Sequence, residues 1–392
     1  MNDNSILITG MGAVSAAGGN MSETLSSFEQ GARNCGPVTL FPTTLGYPAF
    51  EVKDIPIAFQ LEGQRTLGLA LLAVEQALTE ARLVDLAGCR VGVCMGTTVA
   101  SQLNDLQFYR SYRDTGSAAM GSVDRFLKGN LAEAVARRIK ARGPQMTVVN
   151  ACSSGTDAIG IGLSWLKSGL CDVVIAGGAD ELNHVPYCGF ASLSIMNPGL
   201  CAPFDRDRKG LNLGEGAGVL VLEKRSSAKA RGISSDLLLL GYGSSSDAYH
   251  LTAPSPEGVG LRASIKTALN EAGIRPDDVC FVNAHGTGTN DNDLVEGTVL
   301  AEMFGPGIKV LSTKGFTGHT LGAAGGLEAA FTAAGLRLGW IPGSAGFQNK
   351  DDRIPLEPVR KRTLVNGRCA LSTSLAFGGN NAAIVIGREA AA

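Results

Sequence analysis

The sequence predicts an α/β protein. Short apolar segments rich in β-branched residues recur along the chain and end in small residues, as in SILITG, RVGVCMGTT, MTVVNACSS, DVVIAGGAD and CFVNAHGTG. Between them lie stretches of helical periodicity such as residues 65–83 and 131–140. Strands that alternate with helices form parallel or mixed sheets covered by helices. The strand segments are apolar at consecutive positions, so we expect both faces of the sheets to be buried.

The composition supports this fold class and excludes several functions. The chain has 392 residues, of which 52 are Gly and 15 are Pro, as expected for many tight turns between strands and helices. The 34 Lys and Arg nearly balance the 36 Asp and Glu, which argues against a nucleic-acid or polybasic membrane binder. Nine scattered cysteines without a CxxC pair argue against a disulfide scaffold or structural zinc.

The N-terminal segment and the hydropathy pattern indicate where the protein is found. No basic residue precedes Arg33, so the chain lacks the charged start of a secretory signal. No apolar run approaches the roughly 18 residues that a membrane span needs. We therefore expect a reduced, soluble, cytoplasmic protein.

A weak internal repeat predicts two related halves. The segment RVGVCMGTT near residue 90 resembles CFVNAHGTG near residue 280. If Gly155 is aligned with Gly322, Cys152 falls opposite His319, and GEGAGVLVLEK then aligns with FGGNNAAIVIGR. We predict an N-terminal half at residues 1–235 and a C-terminal half at residues 236–392, with one site built from both.

Cys152 is a candidate nucleophile because of its position in the predicted fold. It follows a buried strand and precedes a Ser/Gly-rich helix start, in VVNACSSGTDAIG. The free N–H groups and partial positive charge of a helix N-terminus lower a thiol's pKa and favour the thiolate. The alternative is an inert buried cysteine, the usual state of this residue type. The other eight cysteines lack such a setting.

Two of the four histidines occur at strand ends rich in Gly and Thr. His285 lies in NAHGTGT and His319 in TKGFTGHTLGAAGG. Glycines let the backbone approach a ligand, and the carboxyl ends of strands form the crevices where α/β proteins bind ligands. Each histidine alone has a structural alternative, but with Cys152 they predict a Cys-His-His cluster. The sequence contains neither GxGxxG nor GxSxG, so we expect neither a nucleotide cofactor nor a serine hydrolase.

The chain resembles the β-ketoacyl-acyl carrier protein synthases, the elongating condensing enzymes of dissociated fatty-acid and polyketide systems. The resemblance spans nearly the whole chain, in the segments NACSSGTDAIG, PFDRDRKGLNLGEGAGVLVLE, SSDAYHLTAPSPEG, NAHGTGTNDNDLVE, STKGFTGHTLGAAGGLEA and STSLAFGGNNA. It implies a thiolase-like fold, in which two duplicated halves pack as α-β-α-β-α layers, normally as a dimer.

The resemblance also implies roles for individual residues in an acyltransferase without a cofactor or metal. Cys152 resembles the acylated nucleophile, and His285 and His319 resemble the pair that handles malonyl decarboxylation. Lys314 resembles the lysine that organises the site. Glu328 resembles the acid in the hydrogen-bond network of this lysine. Phe377 resembles the gatekeeper of the closing loop.

The implied substrates are thioesters on the phosphopantetheine of an acyl carrier protein. By resemblance, Val99 and Phe190 belong to the acyl pocket, and four further residues contact substrate: Thr287, Thr289, Gly378 and Gly379. Carrier proteins are usually acidic, so Arg125 and Lys128 are candidates for docking, because they begin a run of six basic residues and one acid between 125 and 142. The alternative for this run is a solvated helix face.

The sequence departs from the family pattern mainly near the substrate. The closing loop reads LAFGGNN where the family usually has Phe-Gly-Phe-Gly-Gly-Thr-Asn, so Leu375, Ala376 and Asn380 alter the gate. Asn290 stands where a proline is common. These changes affect substrate shape and carrier choice, and they favour a specialised pathway.

Two alternative functions remain at the level of sequence. The first is a thiolase or initiating enzyme that acts on acyl-CoA, although thiolases have a second late cysteine and initiating enzymes use Cys-His-Asn. The second is a chain-length-setting subunit of a heterodimer, although such subunits have lost the nucleophile. The sequence leaves three properties open: the acyl chain length, whether the pathway makes fatty acids or polyketides, and whether the dimer is a homodimer or a heterodimer.

Overall fold

A computed structural model describes residues 4–83, 86, 88–100, 106–128 and 130–389, and for residues 125–128 it describes the backbone only. The elements up to residue 230 are β1 (Ile6–Ser15), α1 (Met21–Gln30), α2 (Arg65–Glu80), β2 (Val91–Gly96), α3 (Leu106–Thr115), α4 (Gly121–Lys128), α5 (Leu131–Ile139), β3 (Gln145–Val148), α6 (Ser154–Lys167), β4 (Val173–Asp180), α7 (His184–Ser192), β5 (Gly216–Lys224) and α8 (Arg225–Ala230). The remaining elements are β6 (Leu237–Ser246), α9 (Val259–Ala272), β7 (Val279–Asn283), α10 (Asn290–Phe304), β8 (Lys309–Leu311), α11 (Lys314–Thr317), α12 (Ala324–Leu338), β9 (Trp340–Ile341), β10 (Thr363–Leu364), β11 (Cys369–Ala376) and β12 (Asn380–Arg388). The helices predicted at 65–83 and 131–140 are confirmed as α2 and α5.

The strand order is the same in both parts of the chain. The first five strands lie in the order β3-β2-β4-β5-β1, and their counterparts lie in the order β8-β7-β11-β12-β6. In both, the outer three strands are parallel and the inner pairs are antiparallel. The two sets meet through one strand pair, Leu7 with Leu238. This repetition supports the two proposed halves, whose boundary at 235/236 would fall between α8 and β6 and stays a prediction.

The helices cover the sheets in layers. Helices α2 and α5 pack on the outer face of the first set of strands, α9 packs on the outer face of the second, and α6 and α12 lie between the two sets. The three largest apolar clusters among the described residues fill the spaces between these layers. The strands β2, β4 and β5 are buried along almost their whole length. The predicted α/β fold is confirmed, and these three strands are buried as predicted. The prediction that Cys152 follows a buried strand is wrong, because β3 lies at the edge of the sheet and its residues are exposed or half-buried.

The close approach of α6 and α12 depends on glycine. A Cβ atom on Gly155 of α6 would lie 2.7 Å from the carbonyl oxygen of Gly322 and 2.8 Å from the amide nitrogen of Gly326. No side chain fits at that distance, because real Cβ contacts are longer than 3 Å. Gly155 and Gly322 are the two positions that the internal repeat aligns. The helix starts from the two halves therefore meet, and they bring residues distant in sequence to one place.

Two further features concern membrane insertion and cysteine chemistry. In the part of the chain that the structure describes, no helix combines the length and the apolar character needed to cross a bilayer. All nine cysteines are free thiols, and Cys152 is among the buried ones.

We predict that Gly155→Ala lowers the free energy of unfolding by roughly 1–3 kcal/mol, the usual cost of overpacking a close-packed interior. Gly189→Ala is the matched control, because Gly189 also lies in a helix but has open space within 4 Å of the point where a Cβ would lie. That control is expected to gain about 0.5–1 kcal/mol from helix propensity. Urea unfolding midpoints measure both. Equal stability of the two variants would contradict the proposed tight contact between α6 and α12.

Candidate active site

The predicted nucleophile lies in a strained turn between β3 and α6. Ala151, directly before Cys152, has a φ of 49°, a left-handed value that is unfavourable for a residue with a side chain. Gly318, directly before His319, has a φ of 67° at the equivalent position of the second half. Ser154 fixes the turn, since its hydroxyl accepts from the Asn150 amide at 2.8 Å and donates to the Ala151 carbonyl at 2.6 Å.

The structure brings Cys152, His285 and His319 together. His285 follows β7 and His319 follows α11, and their ring centroids are 5.1 Å apart at 83°. A side-chain donor or acceptor atom from each histidine and the Cys152 sulfur all lie within 4.8 Å of one another. All three residues are buried. The cysteine comes from the first set of strands and both histidines from the second, so the cluster spans the junction between them.

Lys314 determines the tautomer of His285. Its ammonium group lies 3.1 Å from His285 Nδ1 and 2.6 Å from the His285 carbonyl oxygen, and it donates a third hydrogen bond to Glu328 Oε1. An ammonium group can only donate, so Nδ1 of His285 accepts and carries no proton. The single proton of the neutral imidazole is therefore on Nε2. All three N–H donors of Lys314 have a partner.

A backbone amide determines the tautomer of His319 in the same way. The N–H of Leu321 donates to His319 Nδ1 at 3.2 Å, which leaves the proton on Nε2. Leu321 has a φ of 53°, so this donor is presented by a strained backbone. Burial lowers the pKa of both imidazoles well below 6.5, and the positive charge of Lys314 lowers both further. Both histidines are thus neutral Nε2–H donors at neutral pH.

The Cys152 thiol is less acidic than its position in the sequence suggests. Burial raises its pKa to about 12, although the charge of Lys314 and a hydrogen bond from the backbone N–H of Phe377 oppose this rise. The prediction of a lowered thiol pKa is therefore wrong. The reason is that Cys152 is almost wholly buried, and desolvation of the thiolate outweighs the favourable groups around it.

Cys152, His285 and His319 also have the residue types and the spacing of a metal site. Their hydrogen bonds favour another function. Histidines that bind metal usually donate their second N–H to an acceptor, which frees the other nitrogen for the ion. Here Nδ1 of each histidine accepts from an N–H group, so Nε2 holds the proton. The buried ammonium of Lys314 also disfavours a divalent ion nearby. The cluster is suited to donating two hydrogen bonds to a substrate oxygen.

A cavity of about 340 Å³ opens onto Cys152 and both histidines. Its wall includes Phe190 and Phe377, whose rings stack with centroids 5.4 Å apart. Lys314 and Glu328 are not in this wall and lie behind His285. They can therefore act on a substrate only through the histidine.

Comparison with known proteins identifies the family. The family model described as Beta-ketoacyl synthase, N-terminal domain, matches residues 60–228, and that of the C-terminal domain matches residues 238–348. A relative from Synechocystis sp. named 3-oxoacyl-[acyl-carrier-protein] synthase 2 is 33% identical, over 96% of this chain and 96% of its own length. The chain belongs to the β-ketoacyl synthase family.

Solved ketosynthase structures share the whole fold. A chain of the ishigamide ketosynthase/chain length factor superposes with a TM-score of 0.92 at 30% identity, covering 99% of this chain and 100% of that chain. A type II PKS acyl-carrier protein in complex with its ketosynthase bound to the hexaketide gives a TM-score of 0.90 at 25% identity, covering 99% and 100%. The resemblance and the thiolase-like fold predicted from sequence are confirmed.

The structure places some of the predicted substrate residues of this ketosynthase in the cavity wall and others outside it. Phe190, Thr287 and Thr289 line the cavity. Val99 does not line it, because the turn that contains Val99 is held by the buried carboxylate of Asp180, which accepts from the Val99 amide at 3.4 Å.

Two further pairs of predicted residues lie outside the cavity wall or have side chains outside the described residues. Gly378 and Gly379 form the turn behind Phe377 with φ values of 85° and 80°, and their amides donate to the carbonyls of Leu251 and Ala376. Arg125 and Lys128 belong to α4, but their side chains lie outside the described residues. Docking through them stays a prediction.

Sequence reasoning missed several residues of the cavity. Lys209 at the mouth, the segment Thr252–Pro254 and Asn381 all belong to the wall. They occur in PFDRDRKG, SSDAYHLTAPSPEG and STSLAFGGNNA, three of the segments that carry the family resemblance. Their place in those segments was the only sequence signal that they belong to the site. The local pattern does not distinguish a residue of the cavity wall from its neighbours.

We predict that alkylation of Cys152 by iodoacetamide accelerates with pH without reaching a plateau between pH 7 and 10. The thiolate is the reactive species, and its fraction rises about tenfold per pH unit below the thiol's pKa. Peptide mass spectrometry distinguishes Cys152 from the other eight cysteines. A rate that levels off near pH 7 would show that the helix N-terminus outweighs burial.

Proposed function

We propose that the chain is a 3-oxoacyl-acyl carrier protein synthase. It joins an acyl group held on Cys152 to malonyl-acyl carrier protein, in a decarboxylative Claisen condensation. The observation that carries this proposal is a buried thiol beside two neutral imidazoles that both present Nε2–H. The names of the relatives support it, since one is a 3-oxoacyl-[acyl-carrier-protein] synthase and another is a ketosynthase in complex with an acyl-carrier protein.

The first step transfers the acyl group to the enzyme. A bond forms between Cys152 Sγ and the acyl carbon, the bond from that carbon to the carrier sulfur breaks, and the thiol proton ends on the leaving sulfur. No net proton is released, which suits a thiol with a raised pKa. The backbone N–H groups of Cys152 and Phe377 are the proposed oxyanion donors, each worth roughly 3 kcal/mol. The Phe377 N–H already donates to the sulfur.

The second step generates the carbon nucleophile. The malonyl carboxylate leaves as CO₂, and the electron pair of the broken C–C bond forms an enolate on the thioester. His285 and His319 donate hydrogen bonds to the enolate oxygen from Nε2. Burial keeps both imidazoles neutral, and the like charge of Lys314 disfavours the imidazolium further. Glu328 holds the ammonium in place, and burial raises the pKa of this carboxyl to about 7.

The third step forms the product. The enolate carbon attacks the acyl carbonyl on Cys152, the Sγ–carbon bond breaks, and the cysteine takes up one proton from water. The product is a β-ketoacyl thioester two carbons longer than the acyl group. The stacked rings of Phe190 and Phe377 line the same cavity as Cys152, which supports the proposed gating role of Phe377.

The proposed substrates require no free cofactor, because the phosphopantetheine of the carrier protein delivers both acyl groups.

The alternatives from sequence are not favoured by the relatives. Adduct mass on Cys152 after incubation with acyl-carrier protein or acyl-CoA separates the elongating enzyme from an enzyme that acts on acyl-CoA. A fatty-acid or polyketide pathway and a cytoplasmic location stay predictions.

We also propose a dimer through the free edge of β3. In the described part of the chain, β3 pairs with β2 alone, and Met146 and Val149 beside this edge are 44% and 67% exposed. Unpaired strand edges with apolar side chains are templates for pairing with another chain. The strand leads directly into the turn that holds Cys152, so a partner on this edge would also stabilise that turn.

The partner at this edge is either a second copy of the chain or a related chain. A heterodimer is supported by the solved ishigamide ketosynthase/chain length factor, which resembles this chain over its full length. Sedimentation of the purified chain, alone and with the related chain, distinguishes the two.

We predict that Cys152→Gln abolishes condensation but retains malonyl decarboxylation, since its amide resembles the acyl thioester and the imidazoles remain. His285→Ala and His319→Ala are expected to accept an acyl group on Cys152 and to lose decarboxylation by roughly 10²-fold. Single-turnover labelling and CO₂ release measure the two steps. Histidine variants that decarboxylate malonyl-carrier protein at the original rate would show that the imidazoles are structural.

We predict that Val149→Asp raises the dimer dissociation constant by about tenfold or more, because it places a charge in an apolar interface. Leu364→Asp is the matched control, since Leu364 is 66% exposed on the separate two-stranded sheet of β9 and β10. Analytical ultracentrifugation measures both. If the two variants associate as the unmodified chain does, the β3 edge is not the interface.

A further inference from the structure

A small internal cavity lies behind the catalytic cluster. Its volume is about 10 Å³, close to the roughly 10–15 Å³ that one water molecule needs. The wall consists mainly of apolar side chains from α1, α12 and the strand β9, including Phe28, Phe331 and Trp340. Two polar residues, Asn283 and Thr313, complete it. The cavity is separate from the one that opens onto Cys152, since the two share no lining residue.

Both polar residues of this wall have an oxygen without a hydrogen-bond partner. Asn283 and Thr313 are each 1% exposed. Asn283 Oδ1 and Thr313 Oγ1 have no partner among the residues that the structure describes. Native proteins satisfy almost all buried polar side-chain atoms, through protein groups or ordered water. A water molecule needs two to four polar partners, and the two polar residues that line this cavity supply two unpartnered oxygens.

The two oxygens belong to the chain segments that hold the site. Asn283 ends β7, two residues before His285, and its Nδ2 donates to the Glu328 carbonyl at 3.2 Å. Thr313 is the residue directly before Lys314 at the start of α11. His285 and Lys314 therefore follow directly on two segments that line this cavity, and Asn283 also contacts the backbone of Glu328 on α12.

We propose that this cavity binds one ordered water molecule, which donates a hydrogen bond to Asn283 Oδ1 and makes a second with Thr313 Oγ1. The water links the end of β7 to the start of α11. Asn283 and Thr313 are positioning residues in this arrangement: they touch no substrate, and they act by fixing the segments that place His285 and Lys314. The water site itself does not depend on the proposed function, whereas its effect on decarboxylation does.

Crystal structures at a resolution that shows ordered water test the site directly. The unmodified chain and Thr313→Ser are expected to show one water within about 2.7–3.2 Å of both oxygens. Thr313→Val keeps the shape but removes the hydroxyl, and is expected to lose the water. Thr332→Val is the matched control, because the Thr332 hydroxyl donates to the Glu328 carbonyl at 2.7 Å but does not line the cavity. It is expected to retain the water.

The proposal is overturned if the unmodified chain shows no water or a metal ion at this place, or if Thr313→Val leaves the water in place.

Kinetics test the positioning role. Thr313→Val is expected to slow malonyl decarboxylation by roughly threefold to tenfold, as small displacements of catalytic groups do. Acylation of Cys152 is expected to keep its rate, and Thr313→Ser is expected to restore decarboxylation. If Thr313→Val loses the water but decarboxylates at the original rate, the positioning role is refuted.

The two readouts separate this proposal from the proposed function. An unmodified chain that never decarboxylates malonyl-carrier protein contradicts the proposed function, while the ordered water would still support the binding site. The reverse result, normal decarboxylation and no water, contradicts only the inference about the cavity.

Discussion

The buried ammonium group of Lys314 is the interaction on which the site depends. A lone charge in the protein interior is unfavourable by several kcal/mol, so it must be paired and hydrogen-bonded. Here its three donors meet His285 twice and Glu328 once. This arrangement fixes the tautomer of His285. Burial lowers the pKa of both imidazoles, and the charge of Lys314 lowers both further. This charge thus fixes the proton of His285 on Nε2 and adds to the effect of burial in keeping both imidazoles neutral.

The same burial that makes Lys314 effective makes Cys152 a poor thiolate. A dry site strengthens every hydrogen bond inside it, but it also disfavours a free negative charge on sulfur. The proposed acyl transfer avoids that cost, because the thiol proton moves to the leaving sulfur while the carbonyl oxygen is held by backbone N–H groups. The chemistry therefore requires donors in fixed positions more than it requires an acidic thiol. Strained backbone at Ala151 and Leu321 supplies that fixed geometry.

Glycine at the junction of the two halves makes the cluster possible. Gly155 and Gly322 allow the two central helix starts to touch, and this contact brings Cys152 to the histidines of the other half. The exposed edge of β3 leads into the same turn. A partner on that edge and the helix contact behind it would hold the nucleophile from both sides.

The sequence by itself determined the fold class, the repeat and the three residues of the cluster. The periodicity of a strand and the motifs around Cys152, His285 and His319 depend only on residues adjacent in sequence, so the sequence alone is enough to predict them. Only the tertiary structure decided the thiol's pKa and the position of Val99, because both depend on contacts between distant segments. Helix-start chemistry suggested a thiolate, but the sheets and helices packed around Cys152 remove the water that a thiolate needs. Likewise, Val99 is adjacent to a predicted turn, but the carboxylate of Asp180, eighty-one residues away in sequence, determines where that turn lies.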